Sequence, residues 1–330
     1  MYKLIVMVVF FLSYLNAESE YELGSGVQVG SLPLFVGGYL SLDYKMGEDS
    51  DTYRLNDIAF LAYGTNSKFS YLGEFEYKNF YTQTYAADKI TTHQDRRLYA
   101  ERLYLEYNHD ENYKFKIGKY NSPVGFWNLL PINVLRQTTS NPITSDILFP
   151  TFTTGVGISR TSFREYELKV EFMLQNNEDL DDEYNSYEID EHYGINILYE
   201  KDDFSLKLNG GYFHRIETAS SDKSLYYFLL SMKYEKEKYQ LMGEVGEQFS
   251  KERVTTPYAG YIQGLYRLSE EHIASLRVES YDDSVANIKE SVGIVAYTYR
   301  PLYPIALKSE YQFHSIESKN QFIFSFSVLF

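Results

Sequence analysis

The stretch Gln321-Phe322-Ile323-Phe324-Ser325-Phe326-Ser327-Val328-Leu329-Phe330 alternates between two kinds of side chain. Successive side chains of a β-strand point to opposite faces, so the four Phe residues and Val328 share one face. Ser325 and Ser327 share the other face. An aromatic face opposite a small polar face suits a strand with hydrocarbon on one side and water on the other. The stretch therefore predicts a membrane-spanning β-strand.

Residues 1–17 have the pattern of a cleavable export signal. A positive start at Lys3 precedes an apolar run from Leu4 to Leu15, and Ala17 is the small residue at the expected cleavage site. The run is shorter than the ~20 residues that a membrane-spanning helix needs, although a retained N-terminal anchor is the alternative. The chain contains no Cys, which excludes a lipoprotein and a disulfide framework. We expect an exported protein in which residues 18–34 form a short periplasmic lead-in.

The composition argues against transmembrane helices. After the leader there is no run of ~18 apolar residues, and the mean hydropathy is −0.38. Aromatic residues make up 17% of the chain, with 34 Tyr against a single Trp. Such a composition suits a barrel that carries aromatic girdles at both membrane interfaces.

Period-two alternation recurs along residues 35–330 in segments long enough for tilted membrane-spanning strands. The predicted strands are 35–46, 53–65, 68–80, 96–108, 112–121, 153–162, 165–176, 192–200, 203–214, 225–236, 239–250, 257–268, 272–281, 289–300, 304–315 and 320–330. This is about sixteen strands, and one hairpin merged or split would make it about fourteen or eighteen. The connections alternate between short turns and longer polar loops. We therefore expect an all-β fold, a single transmembrane antiparallel up-and-down β-barrel, with short periplasmic turns and longer external loops.

The longest connection, about 121–152, is expected to fold into the barrel. It has no periodicity but contains several Pro, Phe and Leu residues, and a loop of ~30 residues in a compact domain is either functional or disordered. A flexible external flap is the alternative. Arg136 and Asp146 are its two charged residues and Trp127 is the single Trp of the chain. We predict that these three residues form a pore constriction.

The stretch Ile117-Gly118-Lys119-Tyr120-Asn121-Ser122-Pro123-Val124-Gly125-Phe126 resembles the entry to the third external loop of Gram-negative porins with about sixteen strands, including the phosphate-selective group. In those families the pattern is Gly-x-x-x-x-Pro-Phe-Gly, and Val124 here replaces the Phe. Phe326, Val328 and Phe330 similarly resemble the C-terminal signal that the barrel assembly machinery recognises. The resemblance implies a Gram-negative outer-membrane protein that meets lipid and lipopolysaccharide, carries small polar solutes and forms a homotrimer.

The polar strand faces predict a lumen of mixed charge. Basic and acidic candidates for its lining are Arg102, Lys114, Lys116, Lys169, Lys207, Lys233, Arg277 and Lys308, with Glu74, Glu76, Glu167, Glu171, Glu244, Glu279 and Glu310. The net charge of −15 is concentrated in loops, above all in residues 178–191, which favours cations modestly at the mouth. The sequence thus predicts a passive channel for small polar solutes or ions with a mild cation preference. A sugar- or anion-selective uptake channel and a non-conducting binding or adhesion barrel are the alternatives.

No catalytic, cofactor, metal or nucleic-acid site is predicted. The acidic stretch 178–183 lacks the spacing and central Gly of an EF-hand. His314 and Ser315 are adjacent, but neighbours on a strand point to opposite faces and make a poor catalytic pair. We therefore do not expect an enzyme.

Overall fold

The computed structural model describes residues 26–87, 89–130, 132–216 and 223–330. The predicted export signal, residues 1–17, lies outside the described residues, and so does the first part of the lead-in. No helix within the described ranges is long and apolar enough to cross a lipid bilayer. Nearly all regular structure there belongs to one antiparallel sheet.

Within the described ranges, the sheet has 18 strands, of which two are short additions and sixteen form the wall. The wall strands, β1 to β16, are Phe35–Gly47, Asp51–Asn66, Phe69–Ala86, Tyr99–Asn108, Tyr113–Asn121, Phe152–Phe163, Glu167–Asn176, Ile189–Lys201, Phe204–Arg215, Ser224–Glu235, Tyr239–Phe249, Val254–Arg267, His272–Asp283, Ile288–Leu302, Ile305–His314 and Gln321–Leu329. Each wall strand pairs with its predecessor in sequence. The predicted strand number and up-and-down order are confirmed.

The sheet closes on itself where β16 pairs with β1. The register runs from Gln321 opposite Gly47 to Leu329 opposite Tyr39. Beyond it, Phe330 and Gly38 exchange two backbone hydrogen bonds of 2.8 Å. A closed sheet has no unpaired edge, and this is the condition for placing strands in hydrocarbon.

Burial alternates along the strands as the sequence predicts. On β16, Ser325 and Ser327 are fully buried inside the barrel, whereas Phe324 on the outer face is 42% exposed. By the same alternation Phe326, Val328 and Phe330 lie on the outer face, and their part in assembly stays a prediction. Apolar side chains therefore face outward, where a bilayer would cover them.

The two ends of the barrel differ in their connections. At one end, here the short-turn end, neighbouring strands are joined by two to four residues, as between Asn66 and Phe69. The other end, the long-loop end, carries the longer connections that follow β3, β5, β7 and β9, whose described residues are 87, 89–98, 122–130, 132–151, 177–188, 216 and 223. Three connections there, 48–50, 250–253 and 284–287, are shorter than the sequence suggests, because the flanking strands extend beyond the alternating segments.

The two short strands extend the wall locally. Val27–Gln28, in the lead-in, pairs with the start of β1. Lys89–His93 pairs antiparallel with the last five residues of β3. These residues of β3 extend beyond the part of the strand that pairs with β4. A five-residue helix, α1 (Ile143–Ile147), lies in the longest loop.

Candidate functional site

The loop of residues 122–151, called L3 here, crosses the interior from β5 to the opposite wall. Gly125 has φ +69°, and a Cβ there would lie 2.8 Å from a carboxylate oxygen of Glu244, so glycine is required for this approach. The Gly125 N–H donates to Asn209 Oδ1 at 3.0 Å, and its carbonyl accepts from Lys207 Nζ at 2.8 Å. L3 therefore rests on the inner faces of β9 and β11.

Three glutamates of the wall hold the backbone of L3. The bonds include Phe126 N to Glu244 Oε1 at 2.5 Å, Ile143 N to Glu279 Oε2 at 2.8 Å and Thr139 N to Glu310 Oε2 at 2.8 Å. Hydrogen bonds from backbone N–H groups to a carboxylate are charge-assisted and stronger than neutral ones. L3 is thus attached at successive points along β11, β13 and β15.

Three cations of the wall hold the loop carbonyls in the same way. They include Arg277 Nη2 to Ser140 O at 3.1 Å, Arg300 Nη2 to Val134 O at 2.6 Å and Lys308 Nζ to Asn133 O. Arg277 also donates to Thr138 Oγ1 at 2.9 Å and pairs with Glu279 at 2.7 Å. Buried charges are tolerated when they are paired and hydrogen-bonded, and the loop backbone supplies those partners.

Six of the predicted lumen residues therefore lie beneath L3, and two of them, Lys207 and Glu244, are 4% and 2% exposed. Arg277, Lys308 and Glu310 are 1% exposed and Glu279 is 5% exposed. These charges have partners in the loop and in each other, so they hold L3 in place, and of these residues only Glu279 also borders the open cavity between the loops and the wall.

The other side of L3 packs into apolar patches on the wall. Val124, Leu148 and Phe149 are fully buried against a cluster that includes Phe213 and Leu229. Trp127 packs with Met242 and Tyr261. Apolar contacts and charged anchors together fix L3 in one position.

A second loop, L4 (residues 177–188), also lies across the long-loop end. The carboxylate of Asp181 accepts the Ala100 N–H at 3.1 Å, and its carbonyl accepts from the fully buried Lys119 Nζ. Further along, Glu183 O accepts from Lys78 Nζ at 2.7 Å, and Ser186 Oγ donates to Ser145 O of L3 at 3.2 Å. The acidic loop therefore spans the mouth from β7 and β8 toward β3 and rests on L3.

Between these loops and the wall lies an open cavity of about 680 Å³. Its lining is polar and rich in carboxylates. Its charged lining residues are Asp43, Lys45, Arg54, Asp57, Glu76, Lys78, Glu101, Arg136, Asp146, Glu183, Glu279 and Glu290. Eight carboxylates thus face four Lys or Arg residues on this lining.

The three predicted constriction residues all border this cavity. Arg136 donates to Asn141 Oδ1 at 2.5 Å and lies 5.5 Å from the Trp127 ring, which Arg277 approaches to 5.3 Å. Trp127 is only 2% exposed, so it supports the guanidinium groups from beneath. Asp146 is exposed to the cavity.

The carboxyl of Asp146 is only partly hydrated inside the barrel. This desolvation, together with the nearby Glu279 carboxylate, raises its pKa to about 6, against the opposing charges of Arg136 and Arg277. Asp146 therefore changes charge in a mildly acidic solution.

Sequence reasoning missed several cavity residues because β-bulges break the alternation. A register shift on β4 places both Glu101 and Arg102 inward, although strict alternation admits only one of them. A similar register shift on β2 lets both Arg54 and Asp57 point into the cavity. Arg54 pairs there with Asp43 at 2.8 Å. No pattern within a single strand reveals such shifts.

Among the other predicted lumen residues, Glu76 borders the open cavity and Lys233 pairs with Glu235 at 3.7 Å. The rest lie nearer the short-turn end, and all of these but Glu167 form ion pairs. The pairs are Arg102 with Glu74, Lys116 with Glu106 at 3.1 Å, Lys114 with Glu106 at 3.9 Å and Lys169 with Glu171 at 2.9 Å. Glu167 begins β7 and faces Glu200 of β8 across the strand pair. The interior is of mixed charge at this end.

The described residues contain no group of three or more His, Asp or Glu side chains placed to hold a metal ion. His314 is held by Glu290 at 2.8 Å and Gln312 at 3.1 Å, so both ring nitrogens have partners. Its sequence neighbour Ser315 is not one of them.

No protein-family model and no curated protein matches this chain. Solved structures do. OmpF of Salmonella typhi, in complex with daunomycin, matches with a TM-score of 0.60 and 11% identity, over 90% of this chain and 97% of that one. The outer membrane channel DcaP of Acinetobacter baumannii matches with a TM-score of 0.59 and 12% identity, over 93% and 100%. An anion-selective porin from Comamonas acidovorans matches with a TM-score of 0.56 and 10% identity, over 90% and 99%. The chain therefore has the fold of the sixteen-stranded porins.

Proposed function

We propose that this chain, which has the porin fold, is a passive channel for small polar solutes or ions in the outer membrane of a Gram-negative bacterium. The observation that carries the proposal is the polar cavity inside a closed barrel, narrowed by the firmly attached L3. A barrel with an apolar outer face and a charged, water-accessible interior is built to conduct.

The charge of the cavity supports a mild preference for cations. Carboxylates outnumber Lys and Arg residues on its lining, and the acidic L4 lies at its mouth. Charged walls concentrate counter-ions, and the effect weakens as salt screens it. Arg136 and the exposed Asp146, both on L3 and both on the cavity lining, are the proposed selectivity pair.

The same proposal includes the surroundings of the protein. Lipid and lipopolysaccharide would cover the outer face, and the barrel assembly machinery would insert the chain through the segment that ends in Phe326, Val328 and Phe330. A homotrimer follows from the porin fold by analogy. An enzymatic role is not part of the proposal, because His314 has no nucleophile among its partners.

Conductance tests the proposal directly. Purified protein in a planar bilayer should give stable ion steps, with a reversal potential in a salt gradient that shows cation preference. A folded barrel without steps would contradict the channel and favour a binding or adhesion barrel. Steps with anion preference would keep the channel and overturn the cation assignment.

The pH of the bath should change this preference through Asp146. The carboxyl is ionised above its pKa of about 6 and neutral below it, so the cation preference should fall as pH decreases, with a midpoint near that value. Asp146→Asn should show the low preference throughout and lose this step. Asp202→Asn, in an exposed turn at the short-turn end, is the matched control and should keep it. An unchanged pH profile in Asp146→Asn would show that another group titrates.

A further inference from the structure

A second cavity lies beneath L3, toward the short-turn end, between the loop and the wall formed by β5, β7, β8 and β9. Its volume is about 120 Å³, well above the ~10–15 Å³ that one water molecule needs. Its polar lining consists mainly of side chains that can donate hydrogen bonds, namely Lys116, Tyr120, Asn121, Lys169, Asn196 and Lys207, with Glu171 as the carboxylate. The lining thus differs in sign from that of the larger, acidic cavity.

The orientation of Asn196 follows from a chain of hydrogen bonds. The Gly125 N–H can only donate, so the Asn209 atom that it meets at 3.0 Å is the carbonyl oxygen. The amide nitrogen of Asn209 then donates to Asn196 Oδ1 at 2.5 Å. Asn196 Nδ2 is left as a donor without a partner among the described residues, in a side chain that is 2% exposed.

Two further donors of this cavity are incompletely satisfied. The Tyr120 hydroxyl has no hydrogen-bond partner among the described residues, although the residue is 3% exposed. Lys207 is 4% exposed and donates to the Gly125 carbonyl, yet an ammonium has three N–H groups to satisfy. Buried donors without acceptors cost free energy, so a ligand rich in oxygen acceptors would be stabilised here.

The charge of the lining defines the ligand further. Three ammonium groups border the cavity against the single carboxylate of Glu171, which pairs with Lys169 at 2.9 Å. Lys116 is paired with Glu106, which does not line the cavity. Lys207 is thus the one ammonium of the lining that has no ion pair within 4.0 Å among the described residues, and an anion in the cavity would supply it.

We propose that this cavity binds a small oxyanion, with carboxylate or phosphate oxygens, through Asn196 Nδ2, the Tyr120 hydroxyl and the three lysines. Its part in permeation rests on the channel function proposed above, whereas binding itself does not. An anion that crosses the barrel would then meet its binding site below L3, after the acidic cavity.

Binding should be measured on the folded full-length barrel in detergent, by calorimetric titration with inorganic phosphate and separately with acetate at constant ionic strength in chloride. Saturable binding of one or both is expected, and a difference between them identifies the preferred oxyanion. Asn196→Asp keeps the oxygen that accepts from Asn209 but replaces the free donor with a negative charge. It should weaken binding roughly tenfold or more. Lys169→Met, which leaves that network intact, should also weaken binding.

Lys114→Met is the matched control, because Lys114 pairs with the same Glu106 as Lys116 but does not line the cavity. It should bind as the parent protein does. Equal weakening in the control, or no saturable binding by the parent, would overturn the site.

A planar bilayer separates this inference from the channel proposal. Phosphate or acetate at fixed ionic strength should reduce the chloride-salt current in the parent and less so in Asn196→Asp. A conducting barrel without saturable binding overturns the oxyanion site and leaves the channel. Saturable binding by a barrel that does not conduct overturns the channel and leaves the site.

Discussion

Arg277→Met is expected to widen the channel and to destabilise the barrel. The change removes the donors to Thr138 Oγ1 at 2.9 Å and Ser140 Oγ at 2.6 Å, and it leaves the buried Glu279 without its cation. Breaking one partner of a buried ion pair costs ~3–5 kcal/mol. The middle of L3 should leave the wall, so single-channel conductance should rise while the midpoint of urea-induced unfolding falls.

The matched control is Arg267→Met, since Arg267 is a partly exposed arginine at the short-turn end that pairs with Glu235 and does not contact L3. It should leave conductance unchanged and affect stability little, as is usual for exposed pairs. If Arg277→Met does not fold, Thr138→Val removes one acceptor of Arg277 without exposing a buried charge. Parent-like conductance in both variants would show that these contacts do not hold the constriction.

Lys119→Met is expected to release L4 from the mouth. Lys119 is fully buried and donates to the carbonyl of Ala100 at 2.9 Å and to that of Asp181 in L4. Methionine keeps a long unbranched side chain but leaves both carbonyls without this donor, at ~1–3 kcal/mol for each buried group. It also removes a positive charge beside the carboxylates of L4, which then repel one another.

Two measurements would detect this release of L4 from the mouth. A protease that cleaves after Glu should cut L4 at Glu178, Glu183 or Glu188 faster in Lys119→Met than in the parent. The conductance should rise, because L4 no longer lies across the mouth. Lys289→Met, at a position where the side chain is 71% exposed, is the control and should match the parent in both. Unchanged proteolysis of Lys119→Met would mean that the other contacts of L4 suffice.

The two loops illustrate how much of the site could be read from the sequence. That L3 is a long loop follows from its length and from the lack of alternation between Asn121 and Phe152. Its position inside the barrel, instead of as an external flap, is decided by its contacts with the wall. Its charged residues, Arg136 and Asp146, could be identified because they are the two charges it contains. The sequence of L4 shows only that this loop is acidic, and its contacts with Ala100, Lys119 and Lys78 cannot be read from it.

The charged side chains of the interior were also predicted only in part from the sequence. Alternation correctly placed Arg277, Glu279, Lys308 and Glu310 on the inner face, because side-chain direction in a strand is a local property. Alternation does not reveal that L3 covers these side chains, because their hydrogen-bond partners in L3 lie more than a hundred residues away in the chain. For the same reason the sequence cannot show that these four charges anchor L3, or that only Glu279 of the four also borders the open cavity.

The sequence by itself determined the barrel, the order of its strands and which side chains of each strand face outward. The segment from Gln321 to Phe330 is an example, because its alternation alone separates the outer face from the inner face. These features depend on a two-residue period and on the length of the turns, and both are properties of neighbouring residues in the sequence. The tertiary structure alone decided which charges meet water, which hold L3, and where bulges bring Arg54 and Glu101 into the cavity. Such outcomes depend on contacts between distant segments after the sheet has closed, and no local pattern encodes them.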